Sequence, residues 1–312
     1  MPNLQSPHWP LLIDIYFFLV GLAGGAFMVA GVADIFGSKK DRVVTRVGTY
    51  LALLALLPGP LFLIIDLGMP SRFLHMMMVQ KASTDIGMSA INIGPFHIKP
   101  YSPMNLGAWA LLGLGVCAFV VALTLYLEDK GGGATNLAAV RGAFGAIGIL
   151  FAFFVAAYPG QLLSATAQPF WTSARPLGAL FLAVGASTGM AAVALILSLR
   201  GPEVSGSLAK VRRAYTIAVI IQAVALAAVI IAVAGGQAWS AARGGMLTTG
   251  SYSLAFWVGA VAIGLLAPIA LEVRDGFFQG YRRGPGMVAV ASLLILIGGF
   301  LTKYLIFAVG QA

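Results

Sequence analysis

The chain of 312 residues is short of charge: Asp, Glu, Lys and Arg make up only 9% of it. A soluble globular domain carries about 25%. Together with a 60% hydrophobic content, that shortage excludes an ordinary soluble domain and indicates an all-α integral membrane protein. Cysteine is nearly missing. The lone Cys117 rules out a disulfide framework, a cysteine-ligated iron–sulfur cluster and a cysteine-ligated zinc site within the chain. Placed in an apolar run, it reads as a small packing residue. Histidine is scarce as well. His8, His75 and His97 all fall in loops or at helix ends, so no histidine pair faces across the membrane to ligate a haem b. The net charge of +9 does not indicate nucleic-acid binding, because the basic residues sit in short loops where they set membrane orientation.

What is present is hydrophobic length. Eight runs reach the roughly 20 apolar residues that a spanning helix needs: 11–35, 45–67, 105–127, 139–164, 176–199, 213–235, 254–273 and 286–308. They read as one transmembrane domain over 1–312. MPNLQSPHWP has no Lys or Arg and the run after it is too long for a signal-peptide core, so the first segment is expected to stay as a helix. Gly21 with Gly25, and the series Gly142, Gly145, Gly148, put small residues on single helix faces and predict close packing there. Of the 19 Lys and Arg, 13 lie beside the loops that follow odd-numbered runs. The other six (Arg72, Lys81, Lys99, Arg175, Arg243 and Lys303) lie on the opposite side. That imbalance predicts cytoplasmic odd-numbered loops and both termini outside, which in a bacterium is the periplasm.

The stretch PGPLFLIIDLGMPSRFLHMMM (58–78) starts as membrane-type helix and then presents Asp66, Arg72 and His75 within ten residues, around the helix-stopping Gly68 and Pro70. Either Asp66 and Arg72 pair at the water interface, or the three mark a site. The loop 69–104 that follows is the longest, and its Gly87, Gly94, Pro95, Pro100 and Pro103 predict an irregular or short-helical cap, a candidate docking surface.

On the predicted topology the unusual polar residues gather in the outer half of the membrane. Asp14 and Tyr16 follow His8 and Trp9 in the first helix; Tyr158 and Gln161 flank Pro159-Gly160; Arg175, Lys303 and Tyr304 lie at the same side. The plain alternatives are belt aromatics for Trp9 and Tyr16 and snorkelling for Arg72, Arg175 and Lys303. Asp14, inside an apolar run, needs a partner or a proton. Asp34 and Glu272 fall near the other face, as interfacial groups or as a proton exit. A carboxylate, tyrosines, a histidine and a cation at one depth suit a quinone head group, whose carbonyls need donors and whose redox cycle exchanges protons.

Five segments in order, IYFFLVGLAGGAF (15–27), IIDLGMPSRFLHMM (64–77), YSPMNLGAWAL (101–111), AYPGQLLSATAQPFW (157–171) and GGFLTKYLIFAVGQ (298–311), resemble the NrfD/PsrC family of polysulfide-reductase-type membrane subunits. The resemblance implies eight helices in two four-helix bundles, a bacterial inner-membrane location and no haem or metal in this chain. It implies a quinone, menaquinone or ubiquinone, as the redox partner in the membrane. It further implies a four-cluster ferredoxin-like iron–sulfur subunit and a catalytic molybdenum or tungsten bis-pyranopterin subunit, or multihaem cytochromes in the nitrite-reductase version. By the same resemblance the tyrosine before Pro-Gly is Tyr158 and the polar position of the first helix, histidine in a relative, is Tyr16. Asp14 or His8 then exchanges protons; Asp66, Arg72 and His75 shape the outer rim; Gln161 and Lys303 complete the binding set, Lys303 standing where relatives often carry Arg. Two other readings stand beside this one. Helix breaks at Pro58-Gly59-Pro60 and Pro159-Gly160 would also fit a secondary transporter, and a passive anchor would need none of these polar groups.

Overall fold

A computed structural model describes residues 9–78, 90–131, 137–279 and 284–312. Three residues named above, His8, Lys81 and Gly87, lie outside the described residues. In chain order the helices are α1 (Leu11–Phe36), α2 (Arg42–Leu56), α3 (Pro58–Asp66) and the short α4 (His75–Met78). A hairpin of β1 (Ile91–Ile93) and β2 (Phe96–Ile98) follows, then α5 (Pro103–Lys130), α6 (Ala138–Ser164), α7 (Pro169–Ser173), α8 (Leu177–Ser198), α9 (Ser205–Ala234) and α10 (Ala238–Thr248). A π-helical segment (Ala255–Leu266) leads into α11 (Ala267–Gln279), and α12 (Pro285–Gln311) ends the chain. Among the described residues eight helical stretches are long and apolar enough to cross a bilayer. Helices dominate for a physical reason: in hydrocarbon each amide must find its partner within its own segment.

The boundaries depart from the sequence pattern where backbone chemistry or charge intervenes. The expected second span is two helices, because Pro58 and Pro60 lack the N–H groups that would continue α2. At Pro159 the helix does not break; α6 runs on to Ser164, whose hydroxyl donates to the Gly160 carbonyl at 2.9 Å. α9 begins eight residues earlier than its apolar run and so carries Lys210, Arg212 and Arg213 on helix rather than in a loop. The cap predicted as irregular contains the β1–β2 hairpin. Its two-residue loop has Gly94 at φ 59° and then Pro95, the type II′ arrangement that only glycine tolerates at the first position.

α1 is the central column and packs on α2, α6 and α8. Close approach comes from glycine. A Cβ on Gly25 would run into the backbone of Gly185, and one on Gly24 would lie 2.7 Å from the Ala152 carbonyl oxygen. The predicted face of α6 is partly used: Gly148 fits against Phe27 and Cys117, and the carbonyl of buried Gly145 would stand 3.4 Å from a Cβ on Gly31 of α1, whereas Gly142 faces open space among the described residues.

At the end of the bundle remote from the chain termini, charges tie helices together. Arg141 of α6 bonds Asp34 of α1 at 2.8 Å and also Glu128 of α5, which accepts from Arg42 as well. Buried Arg212 holds Glu272 at 3.0 Å and Asp275, and the Tyr215 hydroxyl donates to Glu272. Glu272 is part of an inter-helix ion cluster, with only 1% of it exposed.

Gly185→Val should lower the thermal unfolding temperature of the detergent-purified chain markedly. Its added atoms meet backbone, which cannot rotate away, at a cost of about 1–3 kcal/mol or more. Gly142→Ala, in open space, should leave it unchanged or raise it slightly; equal effects of the two would contradict the packing described.

Candidate functional site

Helical periodicity divides the candidates. Asp14 and Tyr16 are two residues apart on α1, so their side chains leave the axis roughly 200° apart. Tyr16 looks toward α3, whereas Asp14 shares its azimuth with Gly21, seven residues on, which meets Gly185 of α8 and Lys303 of α12.

On the first side, Tyr16 is 4% exposed and lays its ring on Gly59, just inside the Pro58–Pro60 kink; a Cβ there would stand 3.2 Å from its Cε2. Tyr158 of α6 is 9% exposed, stacks on Phe154 at 6.3 Å and rests its ring on Gly107 of α5, where a Cβ would overlap the phenol carbon. Thus the kink in the second span and a glycine in α5 provide flat seats for two buried hydroxyl-bearing rings.

Next to both seats lies a cavity of about 670 Å³ between α2, α3 and α5, open on one side and almost wholly apolar. Leu56, Pro60, Leu63, Ala108 and Leu111 form its wall, with Phe73, Met77 and Phe96 at the capped end. Neither phenol lines it. Each sits behind a glycine whose chain neighbour, Pro60 or Ala108, does. The cap is fixed by Asn105, fully buried at the start of α5: its amide donates to the His97 carbonyl at 3.1 Å and its oxygen accepts from Lys99 N–H at 2.7 Å.

On the second side, Asp14 is 4% exposed and its Oδ1 has no hydrogen-bond partner among the described residues. Lys303 of α12, 1% exposed, donates from Nζ to the Phe17 carbonyl at 2.9 Å, lies 5.1 Å over the Phe181 ring and abuts Gly21. Trp9, Phe17, Trp171 and Phe307 pack around this seam, and the Trp9 N–H donates to Gln311 at 2.6 Å, joining the two ends of the chain.

The structure therefore seats Tyr16 on Gly59 of α3 and Tyr158 on Gly107 of α5, and places Lys303 at a different seam of α1, on the Phe17 carbonyl. Gln161 is exposed and turned toward Gly178 of α8, away from Gly107. Asp66, Arg72 and His75 are exposed on the terminus side, on the turns that carry cavity residues Leu67, Phe73 and Leu74. Sequence reading passed over Asn105, although an Asn three residues after a helix-capping Ser, in S-P-M-N, is a local signal. It also passed over the Arg212 cluster, for which the i, i+3 spacing of Glu272 and Asp275 was the available sign. No group of three or more His, Cys, Asp or Glu able to hold a metal ion occurs among the described residues.

Comparison with known proteins bears on what these parts belong to. The family model described as polysulphide reductase, NrfD, matches residues 2–312. The C component of polysulfide reductase from Wolinella succinogenes is 28% identical over 315 residues, covering 97% of this chain and 94% of that protein. An NrfD homolog of Haemophilus influenzae is 26% identical, covering 99% of this chain and 95% of its own. The C component of selenate reductase from Mesobacillus selenatarsenatis shares 30% over 76 residues, 24% of this chain and 18% of that one. A match along nearly the whole chain, on a bundle of eight membrane-length helices, identifies it as a multi-pass membrane protein that belongs to the NrfD family.

Proposed function

We propose that this chain is the haem-free, quinone-reactive membrane subunit of a bacterial respiratory oxidoreductase complex. One observation carries the reading: two buried phenols seated on Gly59 and Gly107, each next in sequence to a residue that lines an open-sided apolar cavity. Its volume, about 670 Å³, falls in the range of small-molecule sites, roughly 300–1,000 Å³. An apolar cavity with few polar groups at its back is what a lipid-soluble ring with two carbonyls requires.

In this reading the head group passes beyond the cavity wall at Pro60 and Ala108 to reach Tyr16 and Tyr158, which orient it by hydroxyl donation, and the branched side chains of α2, α3 and α5 hold the isoprenoid tail and exclude water. A bound quinone supplies two-electron chemistry coupled to two protons. Asp66 and His75, exposed on the turns beside the cavity, exchange those protons with solvent. Asp14 and Lys303 act across α1 as positioning groups: Lys303 fixes the Phe17 carbonyl and with it the turn of α1 next to Tyr16. His8 remains a candidate proton carrier beside Asp14 on sequence position alone.

The names of the relatives support a place in a polysulfide- or selenate-reductase-type assembly. The proposal accordingly includes an iron–sulfur subunit and a molybdenum or tungsten pterin enzyme as partners. It also includes two four-helix bundles spanning the inner membrane, with both chain ends on the periplasmic side. A transporter built on two broken helices is less well supported, since α6 runs unbroken through Pro159.

Tyr158→Phe in the purified complex should lower quinone-dependent turnover about tenfold, the loss of one buried hydrogen bond, while dye-linked activity of the soluble subunits stays at the wild-type level. Asp14→Asn, on the other face of α1, should cost less than Tyr158→Phe. Wild-type quinone kinetics in Tyr158→Phe, or a larger loss in Asp14→Asn, would sink the assignment of the site.

Gly107→Ala provides an independent check, because its methyl group displaces the Tyr158 ring without altering any polar atom. The expected outcome is a raised KM for quinone with unchanged dye-linked activity; an unaltered KM would contradict the seat described for Tyr158.

A further inference from the structure

The three glycines of α5 have different surroundings. A Cβ on Gly107 would overlap the Tyr158 ring, and one on Gly113 would stand 2.7 Å from the Phe151 ring. One on Gly115 would meet nothing within 4 Å among the described residues, although Gly115 is only partly exposed and lines the open-sided cavity. Glycine is a weak helix former, so a glycine in mid-helix that seats no neighbour keeps space open. Here that space is a recess in the cavity wall.

The recess belongs to a slot with two walls. Ala108, Leu111, Leu112, Gly115, Val116 and Phe119 line the cavity at three- and four-residue intervals, so they form one stripe of α5. Opposite them, Leu53, Leu57, Pro60 and Ile64 repeat the same spacing along the α2–α3 pair. The stripes run from the cap, where Phe73, Met77 and Phe96 close one end, to Phe119 near the middle of α5. At the α-helical rise the α5 stripe is about 16 Å long, room for roughly three extended isoprenoid units. Ala108, next to the Tyr158 seat, stands at the outer end of that stripe, and Gly115 lies two helical turns further in. A chain attached to a ring held at the phenols therefore meets the cap in one direction and the open slot in the other.

We infer that the inner half of this slot is a subsite for the prenyl tail of the quinone, directed toward the membrane centre, and that Gly115 is its specificity-determining residue. This rests on the reading above that the cavity serves a quinone, and it adds the course of the tail and the position that admits it. A prenyl chain fits on two counts. It carries a methyl branch on every five-carbon unit and is wider than a lipid acyl chain, and the bare backbone at Gly115 leaves room for a branch. Its ring anchors it at the phenols, whereas the almost wholly apolar wall offers a lipid head group nothing to hold. Moving a chain from hydrocarbon into an apolar slot yields little free energy of burial. The subsite therefore works by shape, admitting a tail that a bulkier wall would exclude.

Two measurements on the purified complex test this. The first compares Gly115→Leu with wild type on quinones that share one ring and carry tails of one to four isoprenoid units. Taking the ratio for the same quinone cancels its partition into detergent. The KM for the longest tails should rise about fivefold or more in the variant, while the KM for the one-unit tail stays within about twofold. An equal change along the whole series overturns the proposal, and so does no change at any length. The second measurement needs no variant: a three-unit quinone with a diazirine at the end of its tail is photolysed on the wild-type complex. Its adduct should map to residues 112–119 or 53–57 and be displaced by unlabelled quinone. An adduct at residues 73–77 would place the tail outward and overturn the proposal, as would an adduct found in lipid alone. If wild type turns over no quinone of any tail length, the broader functional reading fails as well. Turnover of the one-unit quinone with the tail labelled elsewhere defeats only the subsite.

Discussion

Backbone-to-backbone contact between α1 and α8 governs what the rest of the bundle can be. Burying apolar surface yields little in a medium as apolar as the side chains themselves, so helices associate through close van der Waals packing at small residues. Gly25 of α1 meets Gly185 and Gly189 of α8 backbone to backbone, and Gly21 meets Gly185 beside the Lys303 ammonium. That contact draws α1 into the middle, where it also receives α2 and α6. The ion pairs at the opposite end, Arg141 with Asp34 and Arg212 with Glu272, then lock helices whose spacing is already fixed.

A central helix has chemistry on every face, and here the faces differ. Toward α3 it presents Tyr16; toward α8 and α12 it presents Asp14 and the carbonyl that holds Lys303. The proline kink after Leu57 lets Gly59 come down on Tyr16, and the α5–α6 approach lets Gly107 come down on Tyr158. Each contact is one that a single methyl group would spoil. The cavity lies between α3 and α5, so neighbouring residues of α3 do two things: Gly59 seats a phenol and Pro60 lines the cavity.

The spans were legible because eight apolar runs of that length have few other fates, and the family was legible from motifs that keep their order. The division of Asp14 from Tyr16 was also written in the sequence, since two residues on a helix are a little over half a turn apart in azimuth even where they share a depth. Lys303 was read as a site residue by charge, while its only strong partner among the described residues is a carbonyl of α1. Arg212 and Glu272 were read as loop and interface charges. Only three dimensions bring them together, because the partners are 60 residues apart. The hairpin could have been found locally: I-N-I-G-P-F-H-I alternates around a turn pair, but the surrounding Gly and Pro masked a signal only three residues long on each side.

The most direct measurement is photolabelling of the purified complex with an azido-quinone, followed by mapping of the modified peptides. The account predicts label on Pro58–Asp66 and on the first turns of α5, displaced by excess unlabelled quinone. Label confined to the seam of Asp14, Phe181 and Lys303 would contradict it.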